Sequence, residues 1–186
     1  MAEPDLKTKM EKKISKKREA LLANLFSAKA DKVRNAIAKI PDEGDPSLIF
    51  PMLRSYHGWE QEEDIRTGIA QILMQLKTES AIPVLLRALE EPEFESDRAF
   101  IISIFWNAGL FPVEHIDFLV RQAIIGDFMV ALEVLTVIEN IESGIDQTMA
   151  QEAMLDIDEY LEENPEAVQA ELLRQIKQFL HTYLNQ

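Results

Sequence analysis

The sequence contains no cysteine, only 6 glycines and 8 prolines, and no long apolar run. Without cysteine the chain can form no disulfide and carry out no thiolate chemistry. A helix that spans a bilayer needs about 20 predominantly apolar residues, so we expect no transmembrane segment. The N-terminal region also lacks the apolar stretch of a signal peptide, because residues 7–18 are mostly charged. We therefore expect a soluble, cytoplasmic protein.

The residue patterns that accompany common catalytic chemistry are missing as well. The three histidines, His57, His115 and His181, are far apart in sequence, and none has a second histidine at metal-ligand spacing. The sequence has no glycine-rich phosphate loop and no nucleophile elbow. The run Glu114-His115-Ile116-Asp117 could bind a metal only with ligands from elsewhere, and a solvated helix start explains it more simply. We expect no cofactor, no resident metal and no enzymatic activity.

Charge is distributed very unevenly along the chain. Residues 1–40 hold 11 Lys and Arg against 5 Asp and Glu, a net charge of +6, whereas residues 41–186 have a net charge of −20. An acidic body of this kind repels phosphate backbones, which argues against duplex nucleic acid as a partner. The composition favours a protein partner, and the two oppositely charged parts attract each other.

Several residue types recur at an interval of 32 residues. The interval separates Arg34, Arg66 and Arg98, and also Leu21, Leu53 and Leu85, and Pro51 and Pro83. Self-similarity at this period is typical of stacked helical repeats, in which one unit has too small a core to be stable alone. The clearest copy spans residues 64–91, where two helical patterns are joined by four polar residues.

Apolar spacing predicts helices throughout. One stripe follows the helical period over 65–76, and no segment alternates with period two over a useful length. The segment 97–108 is apolar almost all round, as in a helix that is buried on most sides. The last two helices, 145–161 and 165–184, have acidic outer faces typical of a terminal cap. We predict an all-α protein of about five helix pairs, with the first stripe formed by Ile65, Ile69, Ile72, Leu73 and Leu76.

Residues 1–18 form a basic amphipathic N-terminal segment, and residues 19–186 are expected to form the repeat domain. Apolar residues recur every three or four positions in this region while lysines fill the positions between them. Four roles remain open: docking on the chain's own acidic surface or first repeat, binding an acidic protein, contacting RNA, or lying on an anionic membrane. The segment has no aromatic residue for base stacking or interfacial anchoring, which disfavours the last two.

The units resemble HEAT repeats, an armadillo-like family. Each combines a proline-containing outer helix, a short acidic turn and an inner helix with an Asp-apolar-Arg signature, complete at Asp64-Ile65-Arg66 and partial at Asp97-Arg98. The resemblance implies a right-handed α-solenoid of stacked antiparallel helix pairs. It also implies that prolines kink outer helices, that acids and arginines connect neighbouring repeats, and that inner helices line a concave groove. The residues to which these structural roles transfer are Pro51, Asp64, Arg66, Pro83 and Arg98.

Superposing the inner helices at the 32-residue period predicts the residues of that groove. One row contains Gln71, Ser103 and Leu135, and another contains Gln75 and Asn107. This mostly uncharged ladder suits hydrogen bonding to a peptide or partner helix, although ordinary solvated surface, with Trp106 in the core, would give the same pattern. The predicted partner-binding residues are Gln71, Gln75, Ser103, Trp106 and Asn107.

Two hypotheses about function follow from the resemblance. HEAT repeats serve mainly as binding scaffolds, so the first is a protein–protein interaction scaffold that binds a partner segment in the inner-helix groove. The rival is an enzyme or small-ligand protein, similar to lyase-type HEAT-like proteins, with a pocket near His57, Trp59 and Glu60. Trp59 itself is either an exposed recognition aromatic or a residue packed over the helix junction. A deep pocket favours the rival, and a long shallow groove favours the scaffold.

Overall fold

The computed structural model describes the backbone of residues 6–40 and 45–184 and the side chains from residue 14 onward within them. These residues form ten α-helices and contain no β-strand. The prediction of an all-α chain is therefore confirmed for the part that the structure describes. The helices are α1 (Leu6–Leu25), α2 (Ala30–Ile37), α3 (Ile49–Gly58), α4 (Glu63–Leu73), α5 (Ile82–Glu90), α6 (Arg98–Ala108), α7 (Ile116–Ile125), α8 (Phe128–Glu139), α9 (Gln147–Glu163) and α10 (Ala170–Tyr183).

Aspartate caps define where several helical segments begin. Asp127 accepts a hydrogen bond from the backbone N–H of Val130 at 2.9 Å, and α8 starts directly after it. Asp146 accepts from two amides at the start of α9. Asp45 caps a short 3-10 helix, Pro46–Leu48, by accepting from the amide of Ser47. Such caps satisfy amides that have no partner within the helix.

Two glycines permit the tight turns of the second half of the chain. Gly109 ends α6 with φ of 68°, a left-handed conformation that glycine adopts without strain. Gly126, between α7 and α8, is needed for a different reason. A Cβ atom there would lie 2.6 Å from the side chain of Val130 and 2.7 Å from the carbonyl oxygen of Gln122, so no larger residue fits without movement.

The repeated prolines lie in the first turns of their helices and not in the helix interiors. Pro51 is the third residue of α3, which follows the 3-10 helix Pro46–Leu48 directly, and Pro83 is the second residue of α5, after the 3-10 helix Glu79–Ala81. A first-turn residue needs no intrahelical donor, so proline fits there without breaking an α-helical hydrogen bond. Both prolines thus mark the change from 3-10 to α geometry, where the resemblance implied a kink within one helix.

The chain divides into two compact units, residues 1–76 and residues 77–186. In the first unit, α1 packs on α2 and α3, and α4 packs on α2 and α3. The predicted stripe of α4 forms its core, since Ile65, Ile69 and Leu73 are fully buried. The boundary expected between residues 18 and 19 falls inside α1, which runs unbroken from Leu6 to Leu25.

The second unit repeats the same scheme over six helices. The first helix of each pair packs on the second, in the order α5 with α6, α7 with α8, and α9 with α10. Second helices also pack on one another, because α8 contacts both α6 and α10, while α7 contacts α9. In the described part of the chain, no helix combines the length and apolar content required to cross a bilayer.

Candidate partner-binding surfaces

An exposed tryptophan stands where the second helices of the second unit meet. Trp106, in the last turn of α6, keeps 36% of its surface exposed and donates its indole N–H to Glu133 of α8 at 2.8 Å. The hydrogen bond restrains the ring orientation while part of the side chain stays open to solvent. A large, rigid aromatic with these properties is a typical anchor in protein recognition.

The solvent-exposed side of α8 continues this surface. Met129, one turn before Glu133, is 48% exposed, and Leu132 and Thr136 are half-buried along the same side. The Thr136 hydroxyl donates to the carbonyl of Leu132, and the Asn140 side-chain amide donates to the carbonyl of Thr136. This side of α8 therefore presents one exposed apolar side chain within a row of polar groups.

Helix α10 contributes on the other flank of α8. The Nζ atom of Lys177 donates to both carboxylate oxygens of Asp158 of α9, at 2.5 and 2.6 Å. Phe179 comes two residues later, so helix geometry places it on the opposite side of α10. Phe179 is 36% exposed, and it lines a shallow depression of about 420 Å³ together with Gln175 and three other residues of α10. We name the combined surface the α6–α8–α10 face and define it by Trp106, Asn107, Met129, Leu132, Thr136, Asn140, Gln175 and Phe179.

Two predicted groove residues of α6 occupy different positions. Ser103 is buried and donates its hydroxyl to the carbonyl of Phe100 at 2.7 Å. It offers no surface to a partner, which corrects the sequence-based assignment. Asn107 is exposed and donates its side-chain amide to the carbonyl of Ser103 at 2.9 Å. Trp106 and Asn107 are therefore the two predicted groove residues of α6 that a partner could touch.

The other two predicted groove residues lie in the first unit. Gln71 and Gln75 are both exposed, Gln71 on α4 and Gln75 just after it. Gln71 lines an open depression of about 510 Å³ whose other walls include Glu62, Glu63 and Asp64. Gln71 therefore stands in an acidic environment. The residues that define the α6–α8–α10 face carry no charge, although Glu133 and Glu171 lie next to them.

The three repeat arginines make three different sets of contacts. Arg34 of α2 binds Asp64 and Glu62 at the start of α4, an acid–arginine link between consecutive pairs of the kind that the HEAT resemblance implies. The guanidinium lowers the pKa of Asp64, and the carboxylates raise the pKa of Arg34. The Nη1 atom of Arg98 lies 3.7 Å from Oε1 of Glu95. The buried Nε of Arg98 has no hydrogen-bond partner among the described residues.

Arg66 defines a second open depression. Its guanidinium lies 4.1 Å from the ring centroid of Tyr56, a cation–π contact. Both residues line a depression of about 500 Å³ with Glu60 and Glu63, whereas His57 and Trp59 do not line it. The pocket of the rival hypothesis thus shares only Glu60 with this depression. No group of three or more histidine, aspartate or glutamate side chains in the described residues is arranged to hold a metal ion.

Sequence reasoning missed Met129 and Phe179. The apolar period of α8 follows Val130, Val134 and Ile138, all of them buried. Met129 falls outside that period. An apolar residue away from the buried stripe of α8 was the sequence signal for an exposed apolar side chain. Phe179 follows the apolar spacing of Leu172 and Ile176 in the sequence, although Leu180 occupies the buried position beside it.

Comparison of the chain with protein-family models, with curated proteins and with solved structures gave no match.

Proposed function

We propose that this chain is an interaction scaffold built of HEAT-like helix pairs that binds a segment of a protein partner on the α6–α8–α10 face. Within each unit, first helices pack on second helices and second helices pack on their successors, which is the arrangement expected of stacked repeats. We further propose that the pairs are antiparallel and stack with the right-handed turn of that family.

The observation that carries this proposal is the fixed, partly exposed ring of Trp106. Its hydrogen bond to Glu133 restrains the side chain before any partner arrives, so binding loses less conformational freedom at this residue. Exposed Met129 and Phe179 supply further apolar contacts on α8 and α10. An amphipathic partner helix, with apolar side chains toward these residues and polar side chains toward the amides, suits such a face.

The charge of the chain favours protein over nucleic acid as the partner. Residues 41–186 have a net charge of −20, and the α6–α8–α10 face contains no lysine or arginine. A surface without cations cannot offset the desolvation of phosphates or gain from counterion release. The exposed glutamines Gln71 and Gln75 form a separate polar patch on the first unit, which we propose as a secondary contact.

The proposal is tested by placing a charge on the face. Met129→Lys leaves the buried residues of α8 unchanged and puts a cation among the apolar contacts, so we expect about tenfold less partner to be captured from cell extract. Leu155→Lys, at a 60% exposed position of α9, is the matched control and should capture as much as the unmodified protein. Equal capture by all three proteins would refute the proposed binding face.

A further inference from the structure

An apolar groove lies in the second unit, and none of the residues that define the α6–α8–α10 face lines it. The start of α5 and the connection between α6 and α7 enclose about 530 Å³, with Ile82, Pro83, Phe111 and Val113 among the lining residues. Glu79 and Glu114, both exposed, line it as well, and so does His115. We call the two acidic residues its rim. The groove therefore combines an apolar floor with negative charge, and it suits an apolar side chain flanked by cations.

The chain itself contains a segment of that chemistry. In α1, every side chain from Ile14 to Ala20 is exposed, and Ile14 exposes 62% of its surface. Lys16, Lys17 and Arg18 follow within one turn. Contact with α2 and α3 is made further along the helix, where Leu25 is fully buried. The described part of α1 before Leu21 is thus a basic helical arm with an uncovered apolar residue.

We infer that this arm docks in the groove of a second copy of the chain. Ile14 would enter the apolar floor, while the basic residues after it would face Glu79 and Glu114. Charge complementarity supports the pairing, since residues 1–40 have a net charge of +6 and residues 41–186 a net charge of −20. The arm belongs to an unbroken helix whose far end is anchored by Leu25, and its side chains from Ile14 to Ala20 remain exposed beside α2 and α3.

The two elements are different surfaces of one chain, so the contact is head-to-tail. An interface of this kind leaves one arm and one groove unused in every dimer, and further copies can add to them. The groove is small compared with stable interfaces, which places the association among weak, transient ones. Its ionic component makes the association weaker at high salt.

The experiment is sedimentation velocity of the full chain over a wide concentration range at low and high salt. We expect concentration-dependent self-association that decreases with salt. Ile14→Asp should weaken it about tenfold or more, because burial of one aliphatic side chain is lost. Glu79→Lys with Glu114→Lys should weaken it similarly by repelling the arm. Both changes fall at exposed positions, and circular dichroism checks that the helices persist.

Mixing the two variants is the decisive experiment. The Ile14→Asp protein keeps an intact groove and the rim variant keeps an intact arm, so the mixture should form dimers that neither protein forms alone. A monomeric wild-type chain at every concentration would refute the inference and would leave docking within one chain as the alternative. Undiminished association of Ile14→Asp, or a mixture that stays monomeric, would refute it equally. Met129→Lys should self-associate normally, which separates this result from the test of the α6–α8–α10 face.

Discussion

The guanidinium of Arg34 makes two hydrogen bonds to the carboxylate of Asp64, Nε to Oδ2 at 2.5 Å and Nη2 to Oδ1 at 3.1 Å. A third bond from Arg34 reaches Glu62 at 2.8 Å. Together they connect α2 with the start of α4, so one side chain links two consecutive helix pairs. The planar fork of arginine suits this two-point contact, which lysine could not reproduce.

The Arg34–Asp64 contact predicts a pH-dependent contribution to stability. Arg34 lowers the pKa of Asp64 below its ordinary value of 3.8, so the folded protein binds this proton less readily than the unfolded chain. The stabilisation is therefore present above pH 3.8 and is lost as the pH falls through the lower folded-state pKa. Asp64→Asn should lower the melting temperature at neutral pH, and the difference from wild type should shrink on acidification below about pH 4.

The control for that experiment is Glu63→Gln, which removes a charge from the same first turn of α4 at an exposed position. It tests whether the loss of any acid near the helix start has the same effect through the helix dipole. An equal shift in melting temperature for both variants would show that the contact with Arg34 contributes nothing specific.

Gln169 is predicted to stabilise the second unit through three acceptors. Its buried side-chain amide donates to the carbonyls of Ile124 and Gly126 and to the hydroxyl of Tyr160. Gln169→Leu should reduce the free energy of unfolding by about 1–3 kcal/mol, because half-buried acceptors lose their donor. Chemical denaturation measures the change. Gln151→Leu, at an exposed position of α9, should have little effect, and a loss as large as that of Gln169→Leu would contradict this account.

The buried hydroxyl of Tyr183 is expected to make the stability of the fold sensitive to alkaline pH. Its buried hydroxyl donates to the carbonyl of Ile141, and burial raises the pKa of Tyr183 above its ordinary value of 10.0. Because the unfolded chain ionises first, the contribution is present below pH 10 and is lost as the pH rises through the folded-state pKa. Tyr183→Phe should unfold more easily at neutral pH, by about 0.5–1.5 kcal/mol, and the difference from wild type should narrow above pH 10. A constant difference would show that ionisation of Tyr183 has no part in it.

The helices could be predicted from sequence because their signals are local. The apolar recurrence from Ile65 to Leu76 is buried at all five positions, although α4 ends at Leu73 and Leu76 lies beyond it. Pro51 and Pro83 were placed in helices correctly, but a local pattern cannot tell whether the α-helical bonds begin before or after the proline. The structure resolves this with 3-10 helices that end just before each α-helix.

The candidate face was predicted only in part because exposure depends on neighbours. The 32-residue superposition placed Leu135 in the same exposed row as Ser103, yet both are buried. The period does not hold there, since only Gly126 and Asp127 separate α7 from α8, whereas residues 91–97 separate α5 from α6. The shift in register brings Met129 and Leu132 to the solvent-exposed side of α8. Trp106 was left open between the groove and the core. It is 36% exposed, and its contact with Glu133 joins side chains 27 residues apart.

Site-specific photo-crosslinking shows directly whether the α6–α8–α10 face holds the partner. A photoreactive side chain replaces Met129 in one protein and Leu155 in the matched control, and each is also combined with Trp106→Ala. We expect a discrete crosslinked partner at position 129, a large reduction when Trp106 is replaced, and no such product at position 155. Identical products at both positions, or a yield at position 129 that does not depend on Trp106, would contradict this expectation.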